Sequence, residues 1–359
     1  MSFNLVKKIP DPTEIKTMYP VPEGFAEQKA AFDKEVAKIF TGDSDKFLLV
    51  VGPCSADNGE AVLDYVERLR KVQEKVADKI IIIPRIYTNK PRTTGVGYKG
   101  MLHQPDPEKT SDLLSGLIAI RNLHLHVATQ TGFMTADEML YPENAAYLDD
   151  IVSYVAVGAR SVENQQHRLV ASAFDIPVGM KNPTSGDLSV MLNSVTAAQS
   201  EQEFIYRNNE IKTSGNPLTH TILRGATNKH GRNIPNYHYE DIMNLFNMYN
   251  ERNLANHAVI IDTNHSNSNK QYMEQVRIAK EIMHNRQISN DIKSIVKGLM
   301  IESYIVGGCQ KIGNGVYGQS ITDPCLGWPG SACLRQRGFG TELHTALAAS
   351  EMASRLRSA

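Results

Sequence analysis

The sequence predicts an α/β protein, a (β/α)8 barrel with an N-terminal extension and a short inserted β-hairpin. Three observations carry that prediction. Apolar runs alternate with helical patterns along most of the chain, which is the signature of βαβ units. The runs are rich in Ile and Val without polar alternation, as strands buried on both faces require. Finally, Cys54 in LLVVGPCSAD, His265 in VIIDTNHSNSNK, Glu302 in KGLMIESYIVGG and Asp323 in GQSITDPCLGW stand at strand ends or in loops. Side chains so far apart in sequence share one site when the strands are neighbours with their C-terminal ends on one face, which a parallel barrel provides.

Residues 1–46 read as an N-terminal extension: they are polar, carry Pro10, Pro12, Pro20 and Pro22, and end in the helical stretch FAEQKAAFDKEVAKIF. Residues 47–359 read as the catalytic barrel. Strands are expected at 47–52, 79–87, 133–138, 151–158, 176–182, 219–225, 257–265 and 294–303. Helical patterns fill most of the gaps: GEAVLDYVERLRKVQEKV, DLLSGLIAIRNLHLHV, ENQQHRLVASAF, GDLSVMLNSVTAAQ, YHYEDIMNLFNMYNERN and KQYMEQVRIAKEIMHN. A last helix covers TELHTALAASEMASRLRS, and EFIYR with the segment after it reads as the inserted hairpin. No internal repeat or low-complexity segment is visible.

The chain has 359 residues and a net charge of −1, with no basic tail or stripe. That argues against nucleic acid or an acidic membrane as partner. The N-terminus lacks the apolar stretch of a signal peptide and no apolar run reaches transmembrane length. The four cysteines, Cys54, Cys309, Cys325 and Cys333, are few and irregularly spaced, so a reducing cytoplasm is expected rather than a disulfide framework. Cys309, Cys325 and Cys333 read as small buried hydrophobes.

The chemistry concentrates at strand ends. Arg85, Lys90 and Arg92 follow one another in PRIYTNKPRTTG, and Arg160, Lys181 and Arg224 close other strands. Several Arg and Lys around one cavity suit phosphate and carboxylate groups, with Arg able to bind bidentately. A thiolate, an imidazole and two carboxylates suit a divalent transition metal such as Mn, Fe, Co or Zn better than magnesium or calcium. Taken singly, each ligand has a plainer reading, as a buried hydrophobe, an interior histidine, a lysine partner or a turn starter. Together, around an arginine-rich pocket, they read as a site. GVGYKG at 95–100 matches GxGxxG, but KPRTT precedes it and MLHQPDP follows. No helix N-terminus is available there, so no nucleotide is expected and a substrate loop is the reading. GxSxG, HExxH and Walker motifs are absent, which removes the usual serine hydrolase, zincin and P-loop readings.

GPCS, KPRTT, GARSVENQQHR, GMKNPTSG, ILRG, DTNHSNSNK, IESY and SITDPCLGW together resemble the class I (alpha type) 3-deoxy-D-arabino-heptulosonate-7-phosphate synthases, from roughly residue 14 to residue 328. Those enzymes open the shikimate pathway by condensing phosphoenolpyruvate with erythrose 4-phosphate. They are metal-dependent barrels, usually dimeric or tetrameric, with an N-terminal extension and an inserted hairpin. The resemblance implies metal ligands at Cys54, His265, Glu302 and Asp323. It implies phosphoenolpyruvate binding by Arg85, Lys90, Glu138, Arg160, Lys181 and Arg224, with backbone from Gly158 and Ala159. It places the erythrose 4-phosphate grip on Arg92 and Thr93. Lys90 is the candidate for proton transfer or for holding the aldehyde, and Glu138 for positioning the attacking water.

The chain departs from the better-known branch of that family in places. It has an extra glycine in KPRTTGVGYKG and Asn264 where that branch has serine, and neither is expected to touch a ligand. The hairpin looks shorter, and Asp175 replaces a serine of the effector segment, so the resemblance leaves open whether Phe, Tyr or Trp inhibits. Three other readings remain open: a synthase using arabinose 5-phosphate, a non-catalytic effector-binding barrel, and a structural zinc site. KPRT speaks against the first, the filled catalytic positions against the second, and a single Cys with two carboxylates against the third.

Overall fold

The eight apolar runs are the strands of one barrel. The structure is a computed structural model and describes residues 1–92, 94–328 and 345–357. The barrel strands are β1 (Phe47–Gly52), β2 (Ile80–Pro84), β3 (Thr135–Glu138), β4 (Val152–Val157), β5 (Val178–Lys181), β6 (His220–Leu223), β7 (Val259–Asp262) and β8 (Val296–Glu302). Their order in the sheet is β2-β1-β8-β7-β6-β5-β4-β3, and every pairing along it is parallel. A parallel bridge between Arg85 and Ala136 joins the two ends, with the Ile86 amide donating to the Ala136 carbonyl at 2.8 Å. The sheet is therefore closed at a β2–β3 seam that is much shorter than its other pairings.

Alternation along each strand splits the core in two. Leu48, Val50, Ile83, Ala136, Tyr154, Ile222, Ile260 and Met300 fill the barrel interior, while Leu49, Val51, Ile82, Val155 and Ile261 pack outward against the helices. The interior positions are occupied by apolar side chains, most of them branched, so the barrel is a packed core and not a pore.

The helices are α1 (Pro12–Met18), α2 (Phe25–Thr41), α3 (Gly59–Val76), α4 (Leu113–Thr131), α5 (Gln165–Ala171), α6 (Leu188–Gln199), α7 (Tyr239–Asn250), α8 (Glu274–Ile288), α9 (Asn290–Ile295) and α10 (Thr345–Arg357). Their starts follow local chemistry. Asn58, Asp112, Asn164 and Asp187 each accept a backbone N–H from the first turn of α3, α4, α5 and α6. Glycines in the left-handed conformation end α2 and α4, at Gly42 and Gly132. A 3₁₀ turn, Pro142–Tyr147, takes the place of a helix after β3. Of the last helical pattern, residues 341–344 and 358 lie outside the described residues.

The extension is fastened to the barrel. Val36, Ile39 and Phe40 of α2 belong to the same buried cluster as the barrel interior, and Phe40 stacks 4.4 Å from the ring of His220. α1 is held by the Arg121 guanidinium, which donates to the Tyr19 carbonyl and pairs with Asp150, both at 2.8 Å. The inserted hairpin is present as antiparallel strands Gln202–Tyr206 and Asn209–Thr213, turning at Arg207 and Asn208 with positive φ. Two small pairings were not legible in the sequence: Ala226–Thr227 with Asn233–Ile234, and Val306–Cys309 with Gln319–Ser320. The second exposes Cys309, which corrects its reading as a buried hydrophobe. Cys325 is buried as expected, and Cys333 lies outside the described residues.

Gly116 lets α4 lie directly on the loop that leaves β2. A Cβ there would stand 1.8 Å from the Leu102 carbonyl oxygen. Gly116→Ala is therefore expected to lower stability by about 1–3 kcal/mol through overpacking, seen as a lower urea midpoint at unchanged m-value.

Candidate active site at the C-terminal mouth of the barrel

Cys54 lies two residues past β1, His265 three past β7, and Glu302 is the last residue of β8. Asp323 sits on the loop after β8, beyond the Gln319–Ser320 pairing. Closure of the sheet gathers them. Ligand atoms of Cys54, Glu302 and Asp323 all lie within 4.8 Å of one another. His265 stands outside that group, with Nε2 3.8 Å from Glu302 Oε1. Its backbone is left-handed at φ 51°, and its Nδ1 lies 2.8 Å from Asp262 Oδ2 without hydrogen-bond geometry. A carboxylate behind an imidazole is a common way to orient a metal-binding histidine.

Lys90 closes the cluster. Its ammonium is 2.6 Å from Cys54 Sγ and 3.4 Å from Asp323 Oδ2. A buried negative cluster attracts whichever cation it can reach, and here the nearest is Lys90. The charges show in the titration. Burial and the neighbouring Glu302 push the Cys54 thiol up to about 11 against the pull of Lys90. Lys90 holds the Asp323 carboxyl well below the usual range. Burial would raise Asp262 and Glu302, but both are held low: Asp262 by His265, Lys181 and Arg85, and Glu302 by Arg85, His265 and Lys90.

Arg85 is almost fully buried. Its Nε and Nη2 donate to the carbonyls of Pro53 and Cys54, and Nη2 lies 2.7 Å from Glu302 Oε1. The guanidinium also stacks 3.8 Å over the Tyr87 ring. Among the described residues, Nη1 of Arg85 is buried without an acceptor, as is Nη1 of Arg224. Lys181 Nζ lies 3.7 Å from Glu138 Oε2 and 3.6 Å from Asp262 Oδ2. Arg224 is close enough to feel Asp262, Arg160, Glu302 and Glu138, although burial lowers its pKa. Thus Arg85, Lys90, Lys181, Arg224 and Glu138 converge with the ligand cluster. Ala159 and Arg160 stand further out, with Arg160 exposed, and Arg92 donates through Nε to the Tyr98 carbonyl at 2.8 Å. Thr93 lies outside the described residues.

The residues 94–100 form turns with positive φ at Gly95, Gly97 and Gly100, and the next helix starts only at Leu113, so the GxGxxG match has no helix behind it. Asn264 corrects an expectation. It was read as touching no ligand, yet its Nδ2 donates to Glu302 Oε2 at 2.5 Å, while its Oδ1 accepts from Ser268 at 2.7 Å. The reach of an amide across to the neighbouring strand is invisible to sequence spacing. Asp262 and Gln275 were also missed. The only hint of Asp262 was a polar residue ending the run VIID. Nothing in the sequence marks Gln275, whose side chain brackets the Glu302 backbone, accepting from its N–H and donating to its carbonyl, both at 2.9 Å.

Among the described residues Glu302 Oε1 is buried without a hydrogen bond, ion-paired with Arg85 Nη2 and facing a thiol, a carboxylate and an imidazole. Such a donor set fits a divalent cation of intermediate softness. Buried guanidinium donors beside it fit an anion. These features define a barrel enzyme that handles small anionic substrates at its C-terminal face.

Comparison with known proteins agrees. The model of the DAHP synthetase I family matches residues 23–335. The Trp-sensitive phospho-2-dehydro-3-deoxyheptonate aldolase of Escherichia coli O157:H7 is 36% identical over 331 residues, covering 90% of this chain and 92% of that protein. The Trp-sensitive aldolase of Buchnera aphidicola is likewise 36% identical over 331 residues, with the same coverage. The structure of phospho-2-dehydro-3-deoxyheptonate aldolase from Francisella tularensis superposes with a TM-score of 0.88 at 29% identity, covering 99% of both chains. The chain belongs to the DAHP synthetase I family. Its activity is that of a 3-deoxy-7-phosphoheptulonate synthase of the shikimate pathway.

Gly158 makes room for Glu138, since a Cβ there would stand 2.6 Å from Glu138 Oε1. Gly158→Ala is expected to displace that carboxylate and lower kcat by about tenfold or more at little change in thermal midpoint, as steady-state kinetics and calorimetry will report.

Proposed function

We propose that this synthase condenses phosphoenolpyruvate with erythrose 4-phosphate and water in a reaction that depends on one divalent transition metal, Mn, Fe, Co or Zn, held by Cys54, His265, Glu302 and Asp323. The observation that supports it best is that, among the described residues, guanidinium N–H groups of Arg85 and Arg224 are buried without acceptors beside the buried carboxylate of Glu302, whose Oε1 is ion-paired with Arg85 Nη2 but accepts no hydrogen bond. Bound there, the metal supplies Lewis-acid polarisation of the aldehyde oxygen.

The chain's own residues do the rest. Arg160, Lys181 and Arg224 hold the phosphate and carboxylate of phosphoenolpyruvate and orient its enol face, with Gly158 and Ala159 contributing backbone. Arg85 serves two purposes, bracing the Cys54 loop and Glu302 while offering Nη1 to the substrate. Arg92 and Thr93 grip the phosphate of erythrose 4-phosphate. Lys90 holds the aldehyde region or moves a proton there, since its ammonium already reaches the Cys54 and Asp323 side chains. The enol carbon adds to the aldehyde carbon, and positive character develops at the enol ether carbon. Glu138, kept beside Lys181, positions the water that attacks that carbon, and inorganic phosphate leaves by C–O cleavage. No nucleotide takes part in this scheme.

The protein works as a homodimer or homotetramer in the cytoplasm in this reading, with residues 1–46 serving an interface or regulation. Those points rest on the family likeness and on cysteine usage. No described helix is long and apolar enough to cross a membrane.

Phosphate release by chelator-treated protein tests the reading. Release is expected only with both substrates and an added metal such as manganese, and Cys54→Ala is expected to remove it while circular dichroism stays unchanged. Release from the chelated protein at the full rate would sink the metal dependence, and faster turnover on arabinose 5-phosphate would change the aldose.

Metal affinity should also follow pH with a definite sign. The Cys54 thiol, at about 11, is protonated at neutral pH and binds metal as thiolate, so binding releases a proton. Apparent affinity should rise about tenfold per pH unit through the neutral range, and a competition titration with a metal-sensitive dye that found no such slope would exclude Cys54 as a thiolate ligand.

A further inference from the structure

The β2–β3 seam closes the barrel with little backbone. The other neighbouring strands share ladders of three to five residue pairs. At this seam there is one bridge, Arg85 with Ala136, and one amide bond from Ile86. Beyond it the two chains diverge: one continues to Lys90 and Arg92, the other to Glu138.

A side chain carries the pairing onward. Asp137 Oδ1 accepts from the Thr88 amide at 2.9 Å and from the Glu138 amide at 2.7 Å. Its Oδ2 accepts from the Thr88 hydroxyl at 2.5 Å and lies 3.4 Å from His124 Nε2. A carboxylate oxygen accepts, so His124 Nε2 faces it as a donor, while Nδ1 of the same ring lies 2.7 Å from the Thr135 hydroxyl. Alternation on β3 turns Ala136 and Glu138 inward, so Asp137 lies in the wall, between β2 and α4, and not in the pocket. Asp137 is 6% exposed, and Thr88, His124 and Thr135 are fully buried.

A carboxylate in that wall is costly to desolvate, and an apolar residue would pack there without that penalty. Its four donors give it a specific task. One carboxylate fixes the amide of Thr88, two residues before Lys90, and the amide of Glu138 itself. We propose that Asp137 is a positioning residue for the condensation, tying the Lys90–Arg92 loop to Glu138 across the barrel seam. The inference rests on the roles given above to Lys90, Arg92 and Glu138. Asp137 touches no substrate; it sets the distance between the group at the aldehyde and the group at the attacking water.

Two variants test it. Asp137→Asn keeps the size but loses an acceptor. Thr88→Val removes only the hydroxyl bond, and Thr88→Ser should restore it. Asp137→Asn is expected to lower kcat by about tenfold or more and to raise the KM for erythrose 4-phosphate, because misplacement on the scale of 1 Å suffices for such losses. Thr88→Val should give a smaller loss of the same kind, and Thr88→Ser wild-type kinetics. Hydrogen exchange should rise at the amides of Thr88, Asn89, Lys90, Arg92 and Glu138 with the rest of the barrel unchanged. If Asp137→Asn does not fold, the Thr88 pair carries the test alone. Wild-type kcat and KM in Asp137→Asn and Thr88→Val, or lost stability with unchanged kinetics, overturns the proposal. Lys90→Met and Glu138→Gln are run beside them. If these two lose activity while the Asp137 and Thr88 variants do not, only the positioning role fails; if these two are as active as wild type, the site reading falls and the proposal with it.

Discussion

Arg85 stands at two junctions at once. Its backbone pairs with Ala136 where the sheet closes, and its guanidinium pairs with Glu302 and with the carbonyls of the Cys54 loop. Fold closure and assembly of the charged site are thus one event. A cation at that depth requires compensating acceptors, and each acceptor it takes belongs to the neighbourhood of a candidate metal ligand. Replacing Arg85 would leave Glu302 buried without its charge partner, which is why its loss would be felt by the barrel and the site together.

Charge at the mouth is held in near balance. Glu302, Asp323, Asp262 and Glu138 face Arg85, Lys90, Lys181 and Arg224 across distances of 2.7 to 3.7 Å where pairs are formed. Low dielectric strengthens these contacts and penalises any unpaired atom. The atoms left without a hydrogen bond among the described residues, on Glu302, Arg85 and Arg224, have the chemistry to take ligands of opposite sign. Lys90 occupies an intermediate position, donating to Cys54 Sγ, offsetting the charge of Asp323 and standing between the places assigned to the two substrates.

The extension has a structural part in this arrangement. α2 seals the N-terminal end of the barrel with Val36, Ile39 and Phe40, opposite the mouth. The interior is packed at that end, so ligand access is left to the loops at the C-terminal end. Helix caps at Asn58, Asp112, Asn164 and Asp187 anchor the chain just after those loops, which gives each loop a fixed end.

The eight strands, the flanking helices and the inserted hairpin were legible because apolar runs, N-cap residues and turn residues act locally, within a few positions of one another. Cys54, His265 and Glu302 could be named as candidates for the same reason: an ionisable side chain just past or at the end of an apolar run stands out from its neighbours. What tertiary structure alone decided is which polar atoms meet. Asn264 reaching Glu302, Gln275 bracketing its backbone, Asp262 behind His265 and Asp137 bridging to Thr88 all join residues on different elements. Their pairing depends on barrel closure and on Å-scale distances, and a linear pattern carries neither.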